Sequence, residues 1–298
     1  MKLGMVEHDG KAKVVALVDD DAALDLSADY ADMLALIKAG DAGLEAVRRR
    51  LEDNPSPLIK LADAKMLCPI MPEQYRDCLV FEEHLKNSFA QAAKLSGKSF
   101  EIPPVWYEQP IYYKGNRFSF IGTGADIEWP NYCAFLDIEL ELAIIIGKKG
   151  KDIPAGEAPS FIWGYTILND VSARDAQLRE MPGQLGPAKG KDFDTGNILG
   201  PWIVTADEIP HPARLDMEAK VNGERWGGGN SSQMHHSFAD IIAHISKSET
   251  LYPGEVIGSG TVGTGCGLEI GKHLMPGDHI ELTIEKIGTL ENTVRKDG

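Results

Sequence analysis

The first part of the chain shows two different spacings of apolar residues. Extended apolar segments flank His-Asp-Gly-Lys at residues 8–11, and this turn sequence predicts a β-hairpin over residues 1–18. Apolar stripes at helical spacing then predict one helix around residues 33–37, ended by Gly40, and a second helix around residues 44–51. We therefore expect mixed α/β structure at the N-terminus.

Prolines interrupt the second of these helices. The segment Asn-Pro-Ser-Pro at residues 54–57 cannot continue a helix, because proline lacks the amide hydrogen and its ring clashes with the preceding turn. We place a domain boundary behind it, with a small N-terminal domain in residues 1–65 and a large domain in residues 66–298. Apolar spacing predicts that the large domain begins with a helix over residues 73–95, ended by Gly97.

The rest of the chain has the pattern of strands and turns. Glycine and proline separate short segments that are rich in β-branched and aromatic residues. One further helix is predicted over residues 237–246, with Phe238, Ile241 and Ile245 on its apolar side. The predicted fold class is therefore α+β and mostly β, with a closed or rolled sheet in the large domain rather than a doubly wound one.

Composition limits the partners. The 298 residues include 45 Asp and Glu against 30 Lys and Arg, a net charge of −15. Such a surface repels phosphate backbones and anionic lipids, so we expect neither nucleic acid nor membrane as a partner. No apolar run could span a bilayer, and residues 1–8 lack the apolar core of a signal peptide. The four cysteines form no C-x-x-C pair, which favours reduced thiols and a cytoplasmic location.

Two glutamates in one apolar segment are candidates for metal binding. Glu139 and Glu141 alternate with apolar residues in segment 135–147, so on a strand they would share one face, about 7 Å apart at Cα. One interpretation is an edge strand with a solvated acidic face. The apolar run after Glu141 indicates instead a strand buried on both faces, where a carboxylate needs a compensating partner such as a hard cation.

Two further segments could contribute to such a site. Asp170 ends an apolar strand before a tight turn over residues 172–177, where its side chain could instead cap the turn. Asp77 and His84 are seven residues apart, so on the predicted helix they would share one face. A histidine placed there could act on a molecule bound to a cation held by Asp77, although most helix histidines have no such role.

A glycine-rich segment matches a nucleotide-binding pattern only superficially. Residues 258–263 read G-S-G-T-V-G after a predicted strand, as in the dinucleotide fingerprint. That fingerprint requires a helix to follow, whose N-terminus faces the pyrophosphate. Residues 264–271 are extended and broken by glycine, so we exclude a Rossmann site.

Five motifs in a fixed order point to a known family. They are L-D-I-E-L-E-L-A (136–143), N-D-V-S-A-R-D-A-Q (169–177), G-K-D-F (190–193), S-G-T (259–261) and P-G-D (276–278). Together they resemble the fumarylacetoacetate hydrolase family over about residues 70–294, and the N-terminal part resembles it more loosely. The resemblance implies the family's β-roll catalytic domain behind a small N-terminal α/β domain, in a protein that is usually a homodimer.

The resemblance also implies roles for individual residues. It implies a divalent metal site, holding Mg²⁺ or else Ca²⁺ or Mn²⁺, formed by Asp77, Glu139, Glu141 and Asp170. It implies that the catalytic residues are His84, Glu269, which orients the histidine, and Lys191. It implies contacts with substrate, or ordering of the site, by Tyr113, Arg174, Gln177 and Thr261.

The function that these residues predict is hydrolytic cleavage of a C–C bond in a 2,4-dioxo acid. His84 would take a proton from water, and Lys191 would stabilise the resulting oxyanion. Leu79 and Met181 stand where fumarylacetoacetases present tyrosines, which indicates a different, less acidic acyl group. Two alternatives stay open: a decarboxylase, isomerase or dehydratase of a 2-oxo acid on the same metal site, and a non-catalytic β protein with a structural Ca²⁺ ion.

Overall fold

The computed structural model describes residues 1–53, 55–97 and 99–296, so Asn54 of the predicted helix break lies outside the described residues. The strands are numbered in chain order. They are β1 (Lys2–His8), β2 (Lys11–Leu17), β3 (Ala22–Asp25), β4 (Leu58–Lys60), β5 (Lys65–Met66), β6 (Tyr75–Cys78), β7 (Tyr112–Lys114), β8 (Phe120–Ile121), β9 (Asp126–Glu128), β10 (Leu136–Asp137), β11 (Leu140–Ile146), β12 (Ile162–Asp170), β13 (Ser172–Ala173), β14 (Asn197–Thr205), β15 (Asp216–Val221), β16 (Glu224–Asn230), β17 (Val256–Gly258), β18 (His279–Ile284) and β19 (Gly288–Arg295).

The helices are short and lie between the strands. They are α1 (Met33–Lys38), α2 (Gly40–Glu52), α3 (Glu82–Ser96), α4 (Pro104–Glu108), α5 (Arg174–Glu180), α6 (Ala188–Lys191), α7 (Phe238–Ile245) and α8 (Gly267–Ile270). Single 3₁₀ turns occupy Leu61–Asp63, Ala158–Phe161, Met181–Gly183, Ala206–Glu208 and Ser231–Gln233. None of the helices within the described residues combines the length and the apolar character that crossing a membrane requires.

Most of the strands belong to one large sheet. Its path runs β4-β3-β2-β1-β14-β12-β11-β17-β6-β7, with β5 beside β1 and β8 beside β14. A second sheet has the order β16-β15-β18-β19-β9, and β10 pairs with β13. Among the described strands, pairing is antiparallel except at β8–β14, β6–β17 and β9–β19. The chain is thus mixed α and β and mostly sheet, as predicted, and its sheet is not doubly wound.

The N-terminal elements agree with their predictions. β1 and β2 form the hairpin, and Asp9 and Gly10 at its turn have φ of 52° and 69°, as a tight two-residue turn requires. Helices α1 and α2 lie on the predicted apolar stripes. The boundary after residue 65 stays a prediction; it falls within β5, and β1 pairs with β14 on its other side.

The predicted helix over residues 73–95 is wrong in its first third. Tyr75–Cys78 form β6, and α3 begins only at Glu82; Gly97 ends it, with φ of 69°. The backbone groups of β6 bond to β17 on one side and to β7 on the other, so they are satisfied by the sheet rather than by a helix. Asp77 and His84 therefore do not share a helix face.

The other predictions in the second half of the chain are mostly confirmed. Helix α7 begins after Ser237, whose side chain caps it, and ends before Ser246. After the glycine-rich residues 258–263, the next helix is the four-residue α8, which confirms the exclusion of a dinucleotide fingerprint. The predicted continuous strand over residues 135–147 is interrupted at residues 138–139, between β10 and β11.

The central strands of the large sheet are buried along their whole length. Every residue of β11, β12 and β14 is buried. The polar side chains of Glu141, Asn169 and Asp170 therefore lie where water is scarce, and each needs a partner inside the protein. The edge of the sheet at which they lie is the candidate site.

Candidate active site

Strand pairing brings three carboxylates to one edge of the large sheet. Asp170 ends β12 and Glu141 lies at the start of β11, and antiparallel pairing puts these two strand ends side by side. Asp77, near the end of β6, reaches the same edge through β17, whose Gly258 pairs with it. A Cβ at Gly258 would collide with Asp77 Oδ1 and lie 2.8 Å from Glu141 Oε2, so a residue without a side chain leaves room for both carboxylates.

These carboxylates form a compact buried cluster. Asp77, Glu141 and Asp170 each offer an oxygen, and these atoms lie within 4.8 Å of one another. The Gly260 amide donates to Asp77 Oδ1 at 3.2 Å and to Glu141 Oε2 at 3.0 Å, and the Tyr113 hydroxyl donates to Asp170 Oδ2 at 2.7 Å. Asp170 Oδ1 is buried without a hydrogen-bond partner. The cluster thus has more acceptors than donors.

The electrostatics of the cluster show the cost of this arrangement. Burial, together with the charge of Asp170, raises the pKa of Asp77 to about 8. Burial and the neighbouring Asp77 raise the pKa of Glu141 well above its usual range. Burial also raises the pKa of Asp170 to about 6, although Lys191 opposes that shift. Three carboxylates so close together need more positive charge than the neighbouring side chains supply.

The residues present fit a divalent cation. The donor set of Asp77, Glu141 and Asp170 is all oxygen, which suits Mg²⁺, Ca²⁺ or Mn²⁺. The unpartnered Asp170 Oδ1 is an oxygen that a cation would satisfy. These three residues would hold the ion, and their raised pKa values would fall on binding because the charged form would gain a partner.

Glu139 lies beside the cluster and is paired with two cations. Its carboxylate is 2.7 Å from Arg174 Nη1 and 2.5 Å from Lys191 Nζ. Burial alone would raise the pKa of Glu139, but Arg174 and Lys191 outweigh it and hold the pKa below its usual range. Lys191 Nζ also lies 2.6 Å from Asp170 Oδ2, so it connects Glu139 with the cluster. The role of Glu139 as a metal ligand stays a prediction.

A second group of side chains joins helices α3 and α8. His84, in the first turn of α3, has Nδ1 at 2.8 Å from Oε1 of Glu269 on α8. The other oxygen of Glu269 accepts hydrogen bonds from Asn87 Nδ2 at 2.9 Å and from the Thr264 amide at 2.7 Å. When Nδ1–H of the neutral imidazole donates to the carboxylate, Nε2 keeps its lone pair and can accept a proton. This is the arrangement of a general base with its orienting acid.

Sequence comparison identifies the family in which this combination occurs. Residues 77–295 match the family described as fumarylacetoacetate (FAA) hydrolase C-terminal. The chain belongs to the fumarylacetoacetate hydrolase family. The match includes the carboxylate cluster, the His84–Glu269 pair and Lys191, and the resemblance found in the motifs is thereby confirmed.

Relatives of this family agree with the match. The chain is 33% identical over 265 residues to the human mitochondrial oxaloacetate tautomerase FAHD2A, an alignment covering 88% of this chain and 79% of that protein. It is 41% identical over 179 residues to the uncharacterized protein SH1982 of Staphylococcus haemolyticus, covering 59% of this chain but only 58% of that relative's length. A fumarylacetoacetate hydrolase from psychrophilic Exiguobacterium antarcticum has a similar structure, with a TM-score of 0.78 and 29% identity over the full length of both chains.

The predicted substrate residues lie around the same centre. Tyr113 contacts Asp170, Gln177 Oε1 accepts from Arg174 Nη1 at 3.0 Å, and Thr261 Oγ1 lies 3.5 Å from Glu141 Oε1. Their contacts with a substrate stay predictions. The alternative role for Asp170 as a turn cap is wrong, because helix α5 has Ala173 at its N-cap and no side-chain cap.

Sequence reasoning missed Asp137, which links the two groups. Its fully buried carboxylate lies 2.9 Å from Arg174 Nε and accepts the amides of Gly267 at 2.7 Å and Leu268 at 2.9 Å. It thereby ties Arg174, and through it Glu139, to the first turn of α8. The signal was present in the sequence, since Asp137 precedes Glu139 by two positions in the run D-I-E-L-E.

Sequence reasoning also missed the position of Cys266. All four cysteines fall within the described residues and are free, as predicted. Cys266 is fully buried, with Sγ at 3.4 Å from Glu269 Oε1 and at 4.0 Å from His84 Nδ1. Burial raises the pKa of this thiol well above its usual range. No spacing in the sequence could show this contact, because His84 lies 182 positions away.

Proposed function

We propose that this chain is a divalent-metal-dependent hydrolase that cleaves a C–C bond of a 2,4-dioxo acid of the acylpyruvate type. The observation that supports hydrolysis best is the His84–Glu269 pair next to the acidic centre. His84 lies close enough to Glu139 to help lower the pKa of that carboxyl. A cleavage by water needs such a base beside the site that holds the electrophile.

The cation has a limited part in this proposal. Held by Asp77, Glu141 and Asp170, with Glu139 as a further predicted ligand, it would supply Lewis acidity toward the oxygens of the 2-oxo acid. The neighbouring Lys191 carries its own positive charge. Burial opposes that charge, but Asp170 and Glu139 outweigh burial and raise the pKa of Lys191 above its usual range. Its ammonium group can therefore stabilise an oxyanion.

The proton transfer depends on residues of the chain itself. Glu269 holds Nδ1–H of His84, so Nε2 takes a proton from water, and the hydroxide equivalent attacks the C4 carbonyl carbon. Glu269 also stabilises the imidazolium that forms. When the C–C bond breaks, His84 returns the proton, and the products are a carboxylic acid and pyruvate. Mg²⁺ as the ion, a homodimer and a cytoplasmic location belong to the same proposal.

A panel of 2-oxo acids tests the reaction. We would follow the loss of enol absorbance of several acylpyruvates with Mg²⁺ or Mn²⁺ and after dialysis against EDTA, and identify the products. Hydrolysis predicts two acids, one of which carries oxygen from isotopically labelled water, and full dependence on the metal. Turnover that is indifferent to EDTA, or no cleavage of any 2,4-dioxo acid, would contradict the proposal.

Substitution of the base tests the mechanism. We expect His84→Ala and Glu269→Gln each to lower kcat at least about 10²-fold, because each removes the activated water while the carboxylate cluster remains. The matched control is His279→Ala, a half-exposed histidine of β18. Magnesium binding, followed by calorimetry, should be unchanged in all three variants. Wild-type turnover in both site variants would exclude His84 as the base.

A second candidate keeps the site and changes the reaction. The 33% identity with a human oxaloacetate tautomerase favours enol–keto isomerisation of a 2-oxo acid, in which His84 would move a proton between oxygen and carbon. Decarboxylation and dehydration of 2-oxo acids need the same centre. Enolic oxaloacetate that disappears without incorporation of labelled oxygen and without carbon dioxide would favour the tautomerase.

A further inference from the structure

The base and its partners also form a set of metal-binding atoms. His84 Nδ1, Cys266 Sγ and Glu269 Oε1 lie within 4.8 Å of one another, and all three residues are buried. This set is separate from the cluster of Asp77, Glu141 and Asp170, and it differs in chemistry. Nitrogen and sulfur donors select Zn²⁺ and its heavier relatives, whereas carboxylate oxygens select Mg²⁺, Ca²⁺ and Mn²⁺.

We propose that His84, Cys266 and Glu269 form a thiophilic metal site, and that Zn²⁺ or Cd²⁺ bound there inhibits the enzyme. Binding itself is independent of the proposed function, whereas the inhibition rests on the proposed role of His84 as the base. No disulfide or oxidant is involved. Three protein ligands with a water in the fourth position are a common arrangement for zinc.

The spacing of the three atoms suits a tetrahedral ion. With bonds of about 2.3 Å to sulfur and about 2.1 Å to nitrogen and oxygen, tetrahedral angles place sulfur about 3.6 Å from each of the other donors, and nitrogen about 3.4 Å from oxygen. The corresponding distances here are 4.0 Å from Cys266 Sγ to His84 Nδ1, 3.4 Å from Sγ to Glu269 Oε1, and 2.8 Å from Nδ1 to Oε1. Each differs from the ideal by about 0.6 Å or less, which small side-chain movements can supply.

The position of the ion explains why binding would inhibit. In the free enzyme Nδ1 carries the proton and donates to Glu269, which leaves Nε2 as the base. An ion at Nδ1 replaces that proton, so the neutral ring must carry its proton on Nε2. The histidine then has no lone pair for water. Cys266 binds as the thiolate and releases its thiol proton to solvent, so one proton is lost for each ion bound.

Cadmium provides a direct test of binding in the full-length protein. With Mg²⁺ in excess, we would titrate Cd²⁺ and record the ultraviolet thiolate-to-cadmium charge-transfer band. We expect the band to saturate at one equivalent in the wild type and in Cys133→Ser, a control at a buried cysteine outside the set. In Cys266→Ser we expect no band, and Zn²⁺ inhibition weakened at least about 100-fold. A band that persists in Cys266→Ser would overturn the proposal.

Two further measurements keep the test independent of the variant and of catalysis. Cadmium NMR of the wild type should show one resonance typical of mixed sulfur, nitrogen and oxygen ligands; a resonance typical of oxygen ligands alone would overturn the site. Zinc inhibition should not be relieved by more Mg²⁺, and relief would place the zinc at the carboxylate cluster instead. If the cadmium band behaves as expected but no 2-oxo acid is turned over, the site stands and the proposed function fails.

Discussion

Gly258 shows how a single residue determines the approach of the carboxylates. It lies on β17 between β6 and β11, and the space that a Cβ would fill is occupied by Asp77 Oδ1, Glu141 Oε2 and the side chain of Leu168. Two of these three atoms are candidate metal ligands. The residue has no chemistry of its own, yet the cluster depends on the absence of its side chain.

We therefore predict that Gly258→Ala weakens metal binding. The added methyl group must displace Asp77 or Glu141, and a displacement of candidate ligands should lower the affinity for Mg²⁺ by about 10- to 100-fold. Calorimetric titration would measure the effect. The control is Gly156→Ala, since nothing lies within 4 Å of a Cβ at that loop position. Equal affinities in the two variants would show that the cluster tolerates the methyl group.

At the scale of elements, the short helix α8 is held in place by a residue from another element. Four residues are too few for a helix that is stable by itself. The amides at its start donate to Asp137, which is part of β10, and Glu269 in α8 then reaches His84 on α3. The geometry of the base thus depends on Asp137.

We predict that Asp137→Asn impairs catalysis more than metal binding. The amide keeps the shape but loses one acceptor and the charge that faces Arg174, and breaking a buried pair of this kind costs about 3–5 kcal/mol of stability. We expect kcat to fall at least roughly tenfold through the displaced Glu269, with Mg²⁺ affinity nearly unchanged. Urea unfolding and steady-state kinetics would measure both effects. The control is Asp126→Asn, which removes an exposed ion pair with Arg295 and should cost at most about 1 kcal/mol.

The predictions for individual elements succeeded where the signal was local. The β1–β2 hairpin depends on an Asp-Gly turn, and α7 depends on a capped apolar stripe; both signals lie within a few residues. The segment at residues 75–78 was misassigned because its conformation depends on pairing with β17, which lies about 180 residues later. Such long-range pairing overrides local preference and leaves no periodic signal in so short a strand.

At the scale of the whole molecule, the acidic cluster couples folding to pH and to metal. The pKa of Asp77 is about 8 and that of Asp170 about 6, both above the ordinary value of an unfolded aspartate. The folded state therefore binds more protons than the unfolded state between about pH 4 and pH 8. Because stability falls with rising pH wherever the folded state holds more protons, these groups destabilise the metal-free protein as the pH increases through this range.

We predict that metal protects the protein most at high pH. After dialysis against EDTA, the contribution of these carboxyls should make Tm fall between pH 5 and pH 8. At a Mg²⁺ concentration 100 times its Kd, Tm should rise by roughly 5 °C at pH 8. The rise should be smaller at pH 5, where protons compete for the ligands. Scanning calorimetry at both pH values would measure this, with Na⁺ at equal ionic strength as the control. Equal shifts at both pH values would contradict the coupling.

The sequence by itself determined the class of the protein, its family and the identity of most candidate site residues. Local periodicity predicted the hairpin and several helices, and motifs in a fixed order carried Glu141, Asp170, His84 and Glu269, because residue identity within a motif needs no coordinates. Asp77 was chosen correctly by resemblance, although it was placed on the wrong element.

Only the tertiary structure decided how these residues meet. The three clustered carboxylates come from strands β6, β11 and β12, and the base and its orienting acid come from helices at opposite ends of the large domain's sequence. It also placed Glu139 between two cations, made Asp137 the link to α8, and put Cys266 against the base. These are contacts between segments far apart in the chain, and their distances follow from sheet register and packing, for which the order of residues carries no local signal.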